Sequence, residues 1–135
     1  MDNSIFQFKG FIVRRSLINL NEGETPQQFT INFFPVGIIE EKYSVFKLKL
    51  GVKIEDKNKV LQIEVDAEAD YFFDKEISKK QLDNFFYVNA PALLFPYIRA
   101  YISTLTNLSG IKPITLPTLN LTELGVDLKE NTSVV

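Results

Sequence analysis

Between Tyr43 and Glu55 apolar and polar positions alternate without a break. Phe46, Leu48, Leu50, Val52 and Ile54 fall on one face and Lys47, Lys49, Lys53 and Glu55 on the other. A period of two is that of a β-strand with one buried and one wet side. The run from Leu61 to Tyr71 repeats it, with Leu61, Ile63, Val65, Ala67, Ala69 and Tyr71 opposite Gln62, Glu64, Asp66, Glu68 and Asp70. The spacing predicts a hairpin turning across Asp56-Lys57-Asn58-Lys59. Matching apolar to apolar pairs Ile54 with Leu61, Val52 with Ile63, Leu50 with Val65 and Leu48 with Ala67. It also sets Lys49 opposite Asp66 and Lys47 opposite Glu68 on the polar face. Such exposed pairs contribute about 0.2–1 kcal/mol each, enough to select a register but not to hold a fold.

Upstream, Ile5 to Leu20 is rich in Phe and β-branched residues and predicts a first strand, with Gly10 marking a bulge. The second, Gln28 to Glu40, contains Pro35 and Gly37, which predicts a kinked edge strand. Asn21 to Pro26 is a turn linker. After Asp74 the period changes, and Ser78-Lys79-Lys80-Gln81 matches a capping box opening a short helix to about Tyr87. Pro91 starts a second helix that becomes regular near Leu93, so that Pro96 falls close to its beginning. Leu94, Ile98, Tyr101, Ile102, Leu105 and Leu108 make one broad apolar stripe along it, and Gly110 and Pro113 end it. Lys112 to Leu121 shows no period and reads as an extended segment; Thr122 and Glu123 open a final short helix through Leu128.

Strands followed by helices predict one α+β domain over residues 1–128: a four-stranded antiparallel sheet with two to three C-terminal helices packed on one face. Residues 129–135 read as a flexible polar tail. A helix that bears Tyr97 and Tyr101 as well as its core stripe has apolar surface to spare. That marks Leu94, Tyr97, Ile98, Tyr101 and Leu105 as an oligomer interface.

The chain has 135 residues, 45% of them hydrophobic and 24% charged, with a net charge of −2. That is one domain with no field to draw a polyanion, so nucleic acid is not an expected partner. It has no cysteine and no histidine, which removes thiolate nucleophiles, imidazole bases, disulfides and the commonest zinc ligands. Met1-Asp2-Asn3-Ser4 is no basic-then-apolar leader, and no window approaches membrane-spanning length; a cytoplasmic protein with no membrane insertion is expected. Asp66, Glu68 and Asp70 form a carboxylate row that a hard cation could favour. Strand neighbours two apart stand about 6.6 Å from each other, however, and the facing lysines account for the row, so no metal is assigned. Lacking a phosphate-cradling loop or a nucleophile elbow, the chain is not read as an enzyme. What remains is 12 Phe and 5 Tyr without a Trp, a large aromatic load for a small domain.

Asn89-Ala90-Pro91-Ala92-Leu93-Leu94-Phe95-Pro96-Tyr97-Ile98-Arg99, then Gly110-Ile111-Lys112-Pro113, then Leu116-Pro117-Thr118-Leu119-Asn120-Leu121 together resemble SecB, the bacterial protein-export chaperone. Phe6-Gln7, Phe29 and Glu64-Val65 fall in register with family positions over a weaker match from about Phe6 to Leu124. The resemblance implies a homotetramer, a dimer of dimers. It implies a holdase without nucleotide or other cofactor, which keeps unfolded preproteins export-competent in apolar grooves. It aligns Phe33 with an aromatic client-contacting position, Gly37 and Ile39 with aliphatic ones, and Leu121 and Leu124 with apolar ones; at Gly37 a contact is lost. Phe34, next to Phe33 on a strand, must face the other way and joins the candidate client-binding set. Glu64 matches an acidic docking position for the export motor SecA, with Asp66 beside it, but Arg15 and Asn19 stand where the family carries acids. That opens a second reading, a SecB-like chaperone dedicated to one partner such as an antitoxin; an oligomeric adaptor for folded surfaces is a third.

Overall fold

Strand alternation builds the first half of the molecule. A computed structural model, describing residues 5–117 and 121–135, contains β1 (Phe6–Leu20), β2 (Thr30–Glu40), β3 (Val45–Glu55) and β4 (Leu61–Phe73). Helices α1 (Lys79–Asn84), α2 (Ala90–Leu108) and α3 (Leu121–Glu130) follow, then β5 (Thr132–Val134). The sheet order is β1-β4-β3-β2-β5.

The hairpin of β3 and β4 has the faces the alternation requires but a different register. Ile54 meets Ile63, Val52 meets Val65, Leu50 meets Ala67 and Leu48 meets Ala69, two residues away from the expected pairing. The cause lies in the turn. Val60 belongs to it and not to the strand, Lys59 takes a left-handed φ of 57°, and Asp56 faces Leu61 across the neck. The Asp56 carboxylate accepts the N–H groups of Leu61 (2.8 Å) and Asn58 (3.3 Å). Burial of that carboxyl pushes its pKa up, but these and neighbouring backbone donors outweigh the penalty and leave it below the ordinary carboxylate value. A shift by two keeps every side chain on its face, which is why the alternation alone does not distinguish the two registers.

The sheet has five strands and is mixed, where four antiparallel strands were expected. The segment read as a loose tail ends α3 and then lies parallel to β2, with Gly37 opposite Thr132, Ile38 opposite Ser133 and Ile39 opposite Val134. Nor is β2 broken or simply an edge: all of Thr30 to Glu40 is in register with β3. Pro35 is tolerated for a directional reason. The Gly37 N–H points toward β5, bonding the Asn131 carbonyl. Pro35, two residues earlier, would point its N–H the same way, to a stretch of β2 that no described strand covers, so no ladder bond is lost. At Gly37 a Cβ would collide with Thr132 Oγ1 and stand 3.0 Å from Phe46 and 3.2 Å from Leu128; glycine is what lets the C-terminal elements close on β2.

Ser78 caps α1 as its motif requires, accepting the Gln81 N–H at 3.2 Å. The helix does not then stop. It passes through a π turn, Phe85–Asn89, directly into α2, so Pro96 is interior and not near a start. Pro91 has no N–H to offer the Tyr87 carbonyl, and α3 lies against that carbonyl at Gly125, where a Cβ would collide with it. Gly110, with φ 84°, ends α2. Thr106 then pins the chain beyond it, donating to the Ile102 carbonyl and accepting the Ile114 N–H, both at 2.9 Å. Residues 118–120, which include most of the Pro-x-x-Asn-apolar motif, lie outside the described residues, as does Met1-Asp2-Asn3-Ser4.

The core sits between the apolar face of β3 and β4 and the helices, with Ile54, Ile63, Tyr71, Leu94, Ile98, Ile102, Leu116 and Leu128 fully buried. Much of the aromatic load gathers under the π turn. Phe46 stacks on Phe86 (centroids 4.4 Å apart), and Phe6 stacks on both Tyr71 and Phe85 (5.1 Å each). The Tyr71 hydroxyl donates to the Ala90 carbonyl at 2.6 Å, and its burial pushes its pKa up.

Candidate functional site

The polar face of the sheet is a web of ion pairs. A second bulge, between Val13 and Arg15, breaks the alternation of β1 so that two consecutive arginines reach the same carboxylate row. Arg14 meets Glu68 at 3.3 Å, and Arg15 meets Glu64 at 3.4 Å and Asp66 at 3.6 Å. From the other side Lys47 reaches Asp70 (3.8 Å) and Lys49 reaches Glu68 (3.9 Å), one step along from the expected partners because of the turn. The candidate docking acids Glu64 and Asp66 are therefore together, but both are engaged by Arg15. Strict alternation would have sent Arg14 to the opposite face; two adjacent arginines facing a four-acid strand were the available signal. Among the described residues no three His, Cys, Asp or Glu side chains are gathered as a metal centre.

The candidate client-binding residues divide. Phe33 points to the helix side, its ring 6.0 Å from Phe95 and half-buried. Phe34 points out on the ion-paired face and is 58% exposed. With Val36, 42% exposed, it borders a cleft of about 510 Å³ floored by Gly51 and rimmed by Lys49, Lys53 and Asp66. Ile39 lines a second cleft, of about 500 Å³, with Phe73, Leu82, Phe86 and Val134. Val134 could not be found from the sequence while its segment was read as a tail. Leu121 is half-buried, and Leu124 is not a groove residue in the single chain: with Gly125 and Leu128 it forms the buried stripe of α3. Along Thr30 to Val36, β2 carries Phe33 and Phe34 on its two faces while one edge is unpaired among the described strands.

The proposed oligomer interface needs correction. Leu94 and Ile98 are 0% exposed within one chain; the period of α2 directs them into the domain's own core, so they have no area left for a partner. Leu105 packs partly against the same core. The outer flank of α2 leans on β1 instead. Tyr97 lies against Phe8 (5.5 Å) and Phe11 (5.1 Å), and the Tyr101 hydroxyl donates to Ser16 Oγ at 2.9 Å. Beside them β1 presents a fifteen-residue strand with one edge unpaired among the described residues. Phe11, Ile12, Leu17 and Leu20 are exposed on it. What this surface can do chemically is bind apolar side chains and extended backbone.

The model for "Preprotein translocase subunit SecB" matches residues 16–130. The chain belongs to the SecB family. That family is one of chaperones and not of enzymes. A protein-export protein SecB of Jannaschia sp. is 30% identical over 90 residues, 64% of this chain and 52% of that protein. An uncharacterized protein of Methanocaldococcus jannaschii is likewise 30% identical over 90 residues, covering 64% and 56%. The chain spans about half the length of these curated relatives. In fold it is similar to a SecB-like chaperone of Mycobacterium tuberculosis solved with a ChAD peptide from the HigA1 antitoxin. The TM-score there is 0.71 at 17% identity, over 85% of this chain and 88% of the other. No helix among the described residues is long and apolar enough to cross a membrane.

Proposed function

We propose that this SecB-family chain is an ATP-independent holdase that keeps polypeptide segments unfolded by binding them along β2 and the clefts beside it. The observation that carries this is the coincidence, on one strand, of a backbone edge unpaired among the described residues with exposed Phe34 and Val36 and with half-buried Phe33 and Ile39. An extended client can take hydrogen bonds from such an edge and place its alternate side chains in the flanking clefts. Leu121 borders the same region through α3, which packs against β2. Self-association into a dimer of dimers is supported by the long edge of β1, unpaired among the described residues, and by the exposed apolar residues along it and at Tyr97. Several sites on one assembly then hold one client at raised effective concentration.

A reading as a chaperone for a dedicated partner is favoured over general export by one feature. Arg15 occupies both Glu64 and Asp66, so this face offers a basic motor segment such as that of SecA little free negative charge. The fold neighbour in complex with an antitoxin peptide gives that alternative a precedent in the kind of client, a peptide of an antitoxin.

Phe34→Ser tests the site cleanly because the side chain is largely exposed and the fold does not rest on it. Loss of one large aromatic contact corresponds to about 1.5–3 kcal/mol for full burial, or about ten- to a hundredfold in affinity. Titration of a labelled, reduced and carboxymethylated α-lactalbumin should show that weakening with the melting temperature unchanged. Unaltered affinity would remove the outer face of β2 from the site.

A further inference from the structure

The edge of β2 that is unpaired among the described residues is interrupted. It runs from Thr30 to Val36 and stops at Gly37, where β5 begins to pair. Any extended segment added to the free stretch meets β5 after a few residues. Beyond that point lies the cleft formed by Ile39, Phe73, Phe86 and Val134, so the occupant of the edge at Gly37–Ile39 also decides how much of that cleft is open.

β5 is a short strand, and Thr132 anchors it through its side chain. The strand has three residues and lies parallel to β2, the weaker of the two ladder types per residue. Its backbone bonds to the rest of the sheet include Gly37 N–H to Asn131 O (3.3 Å), Val135 N–H to Ile39 O (2.9 Å) and Glu41 N–H to Val135 O (3.3 Å). Thr132 donates to the Leu128 carbonyl at 2.6 Å. It sits where only a glycine at position 37 leaves room. Val134 is 58% exposed, so little apolar area would be given up if the strand left. Short, edge-lying, solvent-facing elements belong to the low end of local stability.

We propose that β5 is an exchangeable strand: it occupies the edge of β2 at Gly37–Ile39 until an extended client segment displaces it and continues along the whole strand. This rests on the holdase reading and adds its regulation. The apparent affinity for client is then lowered by the fraction of molecules with β5 in place.

The test uses a lock and a release. Ile38 and Ser133 are register partners, and the chain has no cysteine of its own. Ile38→Cys with Ser133→Cys therefore permits a single disulfide that fixes β5 on β2. Ser133→Pro removes an N–H from a three-residue strand and releases it, and Thr132→Val, which keeps shape but deletes the hydroxyl bond to Leu128, releases it more mildly. The probe is reduced, carboxymethylated α-lactalbumin, with binding measured by anisotropy. The oxidised lock should bind about tenfold more weakly than the same protein after reduction, and both release variants should bind more tightly than the unmodified chain. Oxidised and reduced forms binding alike, with no gain on release, would overturn the exchange and mean that clients add elsewhere or on the outer edge of β5. If neither the unmodified chain nor any variant binds the probe, the holdase reading fails and this inference with it.

Discussion

Asp56 shows how one side chain sets the position of a whole ladder. Its carboxylate closes the neck of the β3–β4 turn by accepting two N–H groups, and through the turn it fixes which lysine meets which acid along the strands. Its folded pKa lies below the ordinary value of 3.8. The stabilisation is therefore fully present above the unfolded carboxylate range and is lost as pH falls through the folded value. Asp56→Ala should lower the urea midpoint at pH 7. The gap between variant and parent should close as the pH drops below about 4, which equilibrium unfolding across pH would read; a gap independent of pH would contradict it. A similar economy operates at Gly37 and Gly125, where a missing methyl group decides whether two elements meet. From the sequence alone these look like strand and helix weaknesses. Only the approach of a distant residue, Thr132 in one case and Tyr87 in the other, gives them a purpose.

At the scale of elements, the strands, the capped helix, the Gly110 exit and the helix-on-sheet class were legible because each follows from local periodicity or a local cap. The hairpin register was not, since a shift of two preserves the pattern of faces, and the turn carbonyls and donors decide it. β5 was not legible either: Thr132-Ser133-Val134 is too short for a period, and its pairing depends on α3 delivering it beside β2. The candidate site suffered the same division. Phe33 and Phe34 split to opposite faces as strand geometry demands, whereas Leu94 and Ile98 belong to a stripe that the domain itself consumes. Docking of α3 on the π turn can be checked at Gly125. Alanine there should gain about 1 kcal/mol of helix propensity, yet its Cβ would collide with the Tyr87 carbonyl, an overpacking typically costing about 1–3 kcal/mol. Gly125→Ala should accordingly be destabilised in chemical denaturation, with Leu124 and Leu128 more exposed to exchange; a stabilised variant would mean that α3 does not lie where it is described.

For the whole molecule, the balance of covered and uncovered surface is what matters. The inner face of the sheet is covered by α2, α3 and the segment through Leu116, while β1 and part of β2 keep edges that are open among the described residues and bordered by apolar side chains. Under the proposed function one open edge serves assembly and the other serves clients, and mutation can separate the two. Leu17→Lys with Leu20→Lys places charge beside the β1 edge at two exposed positions. It should reduce the molar mass seen by light scattering to that of a smaller species without moving the melting temperature by more than a few degrees. An unchanged mass would place assembly elsewhere. Binding per subunit should survive in this variant while avidity for long clients declines. The central claim is the capture of unfolded chains without nucleotide, and it is met most directly by following the turbidity of reduced, aggregating insulin with increasing amounts of this protein and no ATP. Suppression at near-stoichiometric ratios is the predicted result; turbidity that rises unchanged at severalfold excess of the protein would contradict it.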